Sequence, residues 1–437
     1  MGWSNMESIT RLLRRSTSSF IIGAFTLGGV LLLALPLGIA AAITGASLVY
    51  CLTDHSILRR RRVFFVVSAI SLPLLGLELA LRLMAPTFVC YRPAEHLAER
   101  WPRLPLMARY MRSSEIMMDK AYGDLAAMSG KLHLAEYRRI GFRTDARGFR
   151  NSKMVQTEIW DGIILGDSFG VGNGTDDQSI WPTVLSSSTG RQFYNLSMPG
   201  SLWTLFANWH IEGENIKVKE GGILILTLFG GNDLDDWYYN PKLSFDSFPW
   251  ATGYEPILIQ IQNFQDRAIL QRVFKQWQLR GTPSAHRIPT VDLADHGEIL
   301  FFGPYLERAQ RTAAQLKNHP NYQHFIGCLD AIAALAQQRG LSLLLVNVPT
   351  KGEIYHPRVK QESTQAFSHL LADYCEENQH PYLDLYPAFK RQAKGSEGVS
   401  SDLLWWRDDT HWNEKGHQLV ARLISEKIKT IQRPTTP

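Results

Sequence analysis

Two short apolar runs, each ending in a glycine-rich polar turn, limit what this chain can fold into. Ile163-Ile164-Leu165 leads into Gly166-Asp167-Ser168-Phe169-Gly170, and Ile223–Phe229 leads into Gly230-Gly231-Asn232-Asp233. Near-continuous apolar runs of this kind read as strands buried on both faces, as parallel sheets require. Around them the chain alternates. Strands are expected near 160–165, 193–196, 223–229, 341–348 and 382–385, and helices near 177–189, 202–215, 321–338, 361–377 and 415–429. The alternation predicts an α/β fold, a parallel-sheet α/β/α sandwich. Functional groups of such sheets gather at the carboxyl ends of the strands, where both polar turns lie.

A third polar block, Asp408-Asp409-Thr410-His411, stands directly before the last helical stretch. A serine, a histidine and an aspartate three residues before that histidine are the parts of a nucleophilic triad. Each residue also has a plainer reading. Ser168 suits a helix N-cap, Asn232-Asp233 suits a turn after a strand, His411 suits a structural position among aromatic neighbours, and Asp408 suits a helix cap. A metal site built on Asp408, Asp409 and His411 lacks the further nitrogen or sulfur ligands that zinc favours, so no metal and no cofactor is expected.

Taken in order, these blocks resemble the SGNH hydrolases, the GDSL-type esterase family. Ser168 lies in Gly-Asp-Ser-Phe-Gly, with Phe in place of the family's Leu. Gly200 ends Asn195-Leu196-Ser197-Met198-Pro199-Gly200, Asn232 lies in Gly-Gly-Asn-Asp, and Asp408 with His411 matches Asp-x-x-His. The continuation Trp412-Asn413-Glu414-Lys415-Gly416-His417 is similar as well. The resemblance spans residues 144–429 with one long insertion, and it implies a flavodoxin-like sandwich. It also implies roles. Ser168 is the nucleophile, His411 the general base and then acid, and Asp408 the residue that holds the imidazole. The backbone N–H groups of Ser168 and Gly200 and the Asn232 side-chain amide are the implied oxyanion donors.

The N-terminus carries a second signal. Phe20–Leu52 is an uncharged, mostly apolar run of 33 residues, and Val63–Leu77 is another apolar run reaching about Met84. A bilayer core takes roughly 20 helical residues. The second run fits one span, whereas the first is long for one and short for two, so two or three transmembrane helices are expected. Arg59–Arg62 precedes the last span, and positive loops stay cytoplasmic. Everything after Met84 is then exoplasmic, periplasmic in a Gram-negative cell, and the protein is a multi-pass inner or plasma membrane protein with the lipid bilayer as a partner. Glu78 and Arg82 are spaced to pair on one helix face, or else to reach into headgroups.

The formal charge of +5 is uneven: residues 1–112 hold 13 Lys/Arg against 5 Asp/Glu. The basic excess is therefore membrane-proximal and gives no reason to expect nucleic acid. The expected organisation is a membrane region over 1–90, a stalk or collar over 91–150, and a catalytic domain over 151–433 with an insertion at 234–320. That insertion leaves the end of the Asn232 strand and is expected to overhang the site as a lid or binding surface. Trp237 and Tyr238, with Asp233 just before them, are candidates for substrate contact, since aromatic faces suit sugar rings. Trp405, Trp406 and Trp412 beside the histidine admit the same reading, with simple packing as the alternative. The four cysteines are read as free thiols, with a Cys328–Cys375 disulfide left open.

The stretch from Phe142 to Asn151 resembles the lead-in of membrane-linked SGNH proteins of cell-surface polysaccharide systems. An acylated glycan substrate and an envelope polysaccharide machinery as partner follow from that likeness. Two classes of function remain. One is an exoplasmic serine ester hydrolase, or an O-acetyltransferase with the same triad. The other is a catalytically inactive SGNH-fold scaffold or glycan-binding subunit.

Overall fold

The computed structural model describes residues 57–101, 104–151, 158–236, 254–273, 288–293, 296–356, 365–394 and 403–431. The chain divides into two compact units, one of Met1–Val89 with Thr252–Thr282 and one of Cys90–Ala251 with Pro283–Pro437.

In the second unit the apolar runs are strands. β1 (Trp160–Leu165), β2 (Phe193–Asn195), β3 (Val218–Phe229), β4 (Ser342–Val348) and β5 (Tyr382–Asp384) form a five-stranded sheet in the order β2-β1-β3-β4-β5. All its pairings are parallel, with Ile163 opposite Leu224 and Val348 opposite Phe229. Successive side chains point to opposite faces, so each strand feeds two cores. Ile163, Leu165, Leu224, Leu226, Leu343 and Leu345 pack beneath the helices Leu202–Gly213, Tyr322–Gln338 and Ala366–Glu377. Ile164, Ile225, Leu344 and Val346 pack on the other side, beneath Trp181–Thr189 and Glu414–Ile431. Truncating a leucine buried this completely typically costs about 2–5 kcal/mol.

The strand order places a topological switch point between β1 and β3, because the chain winds one way from β1 to β2 and the other way from β3 to β5. Ser168 follows β1 and Asn232 follows β3, so both lie at the crevice this reversal opens. Two antiparallel ribbons precede the sheet, Ala98–Trp101 with Leu104–Tyr110 and Glu115–Ala121 with Arg138–Arg143. The helix expected from 177 begins only at Trp181. Asp176 closes a local turn by accepting from the Gln178 N–H (3.0 Å), and Pro182 then sits in the first helical turn. Cys328 and Cys375 are buried and free, and burial pushes the Cys328 thiol up to about 12.

The first unit holds the helix Ile57–Met84. Glu78 and Arg82 pair on it, with Arg82 Nε donating to Glu78 Oε1 (2.5 Å). Among the described residues no helix is long and apolar enough to cross a membrane. The run Phe20–Leu52 lies outside the described residues. The stretch expected as one insertion, 234–320, is divided. Its middle, Thr252–Thr282 with the helix Glu255–Asp266, belongs to the first unit, and the remainder belongs to the second.

Candidate active site

The turn after β1 sets the nucleophile. Asp167 is the N-cap of the short helix Ser168–Val171, its Oδ1 accepting from the Phe169 N–H (2.9 Å). Capping therefore falls to Asp167 and leaves the Ser168 hydroxyl available. The strand packs so tightly here that a Cβ on Gly166 would lie 2.0 Å from Thr227 Oγ1. Ser168 Oγ–H donates to His411 Nε2 at 2.8 Å. That distance is within the reach a nucleophile–base pair needs.

The carboxylate on the other side of the imidazole is Asp409, not the expected Asp408. His411 Nδ1–H donates to Asp409 Oδ1 at 2.7 Å, and the His411 backbone N–H donates to the same oxygen at 3.1 Å. Asp408 is turned away. Its Oδ2 accepts from the backbone N–H of Gly123 (2.7 Å) and Glu136 (2.8 Å), and its Oδ1 accepts from Arg138 (3.1 Å). The reason is local: two residues of separation let one carboxylate reach both the histidine's ring and its backbone, and the loop then points Asp408 at the preceding segment. Burial pushes the Asp409 carboxyl up, but the His411 hydrogen bond and charge, with Arg92 and Arg138 beside it, hold it well below the usual carboxylate range.

A second acid stands close by. Asp124 Oδ1 accepts from the Thr410 N–H (2.9 Å) and its Oδ2 from the Thr410 hydroxyl (2.6 Å), while Oδ2 lies 3.5 Å from His411 Nδ1. Burial first, and then the Asp409 charge, raise its pKa above the ordinary aspartate value. Arg92 lies 3.6 Å from each of Asp124 and Asp409, and Arg138 pairs with Asp409 at 2.9 Å. Single donor atoms of Asp124, Asp409 and His411 fall within 4.8 Å of one another. Asp409 already has both oxygens engaged, and two guanidinium groups supply positive charge there, so this donor set is a poor fit to a dication.

Arg92, Asp124 and Arg138 all come from the stretch expected to be a stalk or collar. With Tyr91, Tyr110 and Met128 from the same stretch, Arg92 and Asp124 help wall a cleft of about 420 Å³ over Ser168 and His411. Phe302 and Tyr305 close it from the far part of the insertion. Sequence reasoning missed these residues. Lys351 supports the loop from below, its Nζ donating to the backbone carbonyls of Trp406 (2.7 Å), Arg407 (3.1 Å) and Asp409 (3.1 Å). Burial lowers its pKa to about 7.

The expected oxyanion donors lie at the ends of β2 and β3, on either side of Ser168. Gly200 has φ +146°, a conformation that a side chain would strain. Met198 and Pro199 just before it line the cleft, whereas Gly200 and Asn232 do not. Asn232 Nδ2 donates to Asp236 Oδ2 (3.0 Å), which fixes the amide. Asp233 is fully buried and accepts from the Phe229 N–H (2.7 Å). It closes the turn and does not line the cleft over Ser168, contrary to the expected substrate contact. Trp237 and Tyr238 lie outside the described residues. Trp405 and Trp412 are core residues, with Trp412 stacked edge-on to Phe169 (4.7 Å).

Burial, and secondarily the Asp235 charge, raise Asp236 to about 6. A carboxyl raised on folding contributes stability that is complete below the unfolded value and is lost as pH rises through the folded one. Asp236→Asn is therefore expected to flatten the fall in unfolding midpoint between about pH 4 and pH 7, as thermal melts across that range would show. An identical fall in both proteins would count against the assignment.

Residues 301–436 match the family described as SGNH hydrolase-like domain, acetyltransferase AlgX. The C-terminal third of this chain is thus similar to an SGNH hydrolase-like domain. The matched span includes Asp409 and His411, and Ser168, Gly200 and Asn232 lie before it. No curated protein matches the sequence. Among solved structures, a member of the lipolytic protein G-D-S-L family from Veillonella parvula is 14% identical, with 61% of this chain and 96% of that one covered at a TM-score of 0.32. A GDSL-like lipase from Bacteroides thetaiotaomicron is 11% identical, with 63% and 89% covered and a TM-score of 0.32. The psychrotrophic esterase EstA from Pseudoalteromonas sp. is 13% identical, with 63% and 98% covered and a TM-score of 0.29. Similarities this loose do not bear on function.

Proposed function

We propose that this protein is a serine acyl-ester enzyme that carries an O-acyl group on Ser168 and delivers it to a hydroxyl. The single observation behind this reading is the continuous relay from Ser168 Oγ through His411 to Asp409. Ser168 Oγ attacks the ester carbonyl while His411 Nε2 takes its proton, and the imidazolium is stabilised by Asp409. His411 then passes the proton to the departing alcohol, leaving an acyl-serine. The incoming hydroxyl repeats the sequence in reverse, giving its proton to Nε2 as it displaces the serine.

The acceptor decides the class. The matched family is described as an acetyltransferase, which favours transfer to a sugar hydroxyl; water as acceptor makes the same site an esterase. The apolar runs Phe20–Leu52 and Val63–Leu77 support attachment to a membrane, Arg59–Arg62 supports an exoplasmic catalytic unit, and the likeness of Phe142–Asn151 to the lead-in of polysaccharide-linked SGNH proteins supports a cell-surface glycan as substrate.

Purified full-length protein given a short-chain aryl acetate tests this directly, with an unacetylated polysaccharide as potential acceptor. Transfer predicts faster release of the aryl alcohol when glycan is added, with acetyl recovered on sugar. Release indifferent to glycan makes the enzyme an esterase. No release, together with no labelling of Ser168 by a fluorophosphonate, overturns the enzymatic reading in favour of an inactive scaffold.

A further inference from the structure

The helix Glu255–Asp266 turns an apolar face outward, flanked by exposed Gln260 and Gln262, while Ile259 packs inward. Ile257, Leu258, Ile261 and Phe264 are exposed, at 63%, 48%, 43% and 39%, while Asn263 and Gln265 are buried at 2% and 5%. A helix on a water-facing surface turns its apolar stripe inward and its polar residues out. An outward apolar face with polar groups held inside is the arrangement suited to lipid.

The helix is fastened to an apolar partner. Arg82 of the helix Ile57–Met84 donates to the Phe264 carbonyl (3.0 Å), and its guanidinium lies over the Phe264 ring at 3.9 Å. Glu78, 1% exposed, accepts from the N–H groups of Ile269 (3.0 Å) and Leu270 (2.9 Å), capping the turn that follows. Glu78 and Arg82 and the backbone groups they engage are therefore satisfied internally, as a low-dielectric surrounding demands. The same unit exposes Phe65, Ile70, Leu72, Leu83 and Met84 on the partner helix. Charge adds a direction. After Asp266 come Arg267, Arg272, Lys275, Arg280 and Arg287, with no acidic residue before Asp292. A basic segment continuing an amphipathic helix is drawn to anionic headgroups.

We infer that Glu255–Asp266 is a second membrane contact, an interfacial helix whose Ile257, Leu258, Ile261 and Phe264 face enters the headgroup–acyl boundary of an anionic bilayer. It lies far along the sequence from the N-terminal apolar runs. The inference rests on the membrane attachment proposed above, and it converts a single N-terminal anchor into a two-point one.

A photoreactive benzophenylalanine placed at Ile257 or Ile261 of the full-length protein tests it. The membranes are nanodiscs of phosphatidylcholine with or without phosphatidylglycerol, and the same probe at Phe65 and at Gln262 provides controls. The expected result is phospholipid adducts at Ile257 and Ile261 roughly tenfold above those at Gln262, and several-fold more abundant when phosphatidylglycerol is present. Lipid adducts at Phe65 with none at Ile257 or Ile261 overturn the interfacial helix and leave the N-terminal anchor standing. Absence of adducts at all sites sinks the membrane reading itself. Crosslinks from Ile261 into residues 20–52, or into a second copy, overturn the inference by naming protein as what covers this face.

Discussion

Asp409→Asn is expected to lower kcat by about 10⁴-fold with little change in KM, whereas Asp408→Asn is expected to act chiefly on stability. The two aspartates are neighbours, yet only Asp409 contacts the imidazole. An asparagine at 409 places an amide where Nδ1–H needs an acceptor, so the histidine loses both its tautomer and the charge that stabilises its cation. At 408 the lost acceptors serve Gly123, Glu136 and Arg138, a change worth about 1–3 kcal/mol of folding free energy. Steady-state kinetics and denaturant unfolding of both variants separate the roles. Loss of turnover in Asp408→Asn at unchanged stability, beside a mild Asp409→Asn, would reverse the assignment.

Removal of the nucleophile should be more severe. Ser168→Ala is expected to reduce turnover of an aryl ester by about 10⁴- to 10⁶-fold, leaving the unfolding midpoint within about 0.5 kcal/mol of the parent. Stability should hold because the cap of its helix is Asp167, and the serine hydroxyl contacts His411 rather than the core. Covalent labelling by a fluorophosphonate should vanish in parallel. Turnover that survives the substitution at parental rate would mean that the chemistry runs through another residue.

The fold was legible because it rests on composition with few competing readings. The runs Ile163–Leu165 and Ile223–Phe229 can be satisfied only inside a sheet covered on both sides, and that is where they are found. Ser168 and His411 were legible because each sits in a short motif beside a strand or helix end, and the structure brings them together. The acid was misread for a physical reason. Sequence spacing offers two carboxylates within reach of His411, and only the path of the loop decides which one turns inward. Arg92, Asp124 and Arg138 were not legible at all. Their partners lie some 270 to 320 positions away in sequence, and long-range charge pairing leaves no periodic trace. The outward apolar face of the helix Glu255–Asp266 was missed for a different reason. Its apolar spacing is that of any amphipathic helix, and which side faces outward is a property of packing.

The division of the chain into units has a topological consequence. The polypeptide passes from one unit to the other three times, at Val89/Cys90, Ala251/Thr252 and Thr282/Pro283. A single proteolytic nick at any of these junctions leaves the second unit covalently joined to one segment of the first. Cutting all three would leave the catalytic unit as two fragments. One would carry β1–β3 with Ser168 and the other β4 and β5 with His411, joined along the β3–β4 pairing of the sheet. The nucleophile and its base would then belong to different chains, and activity would become a readout of whether that seam holds.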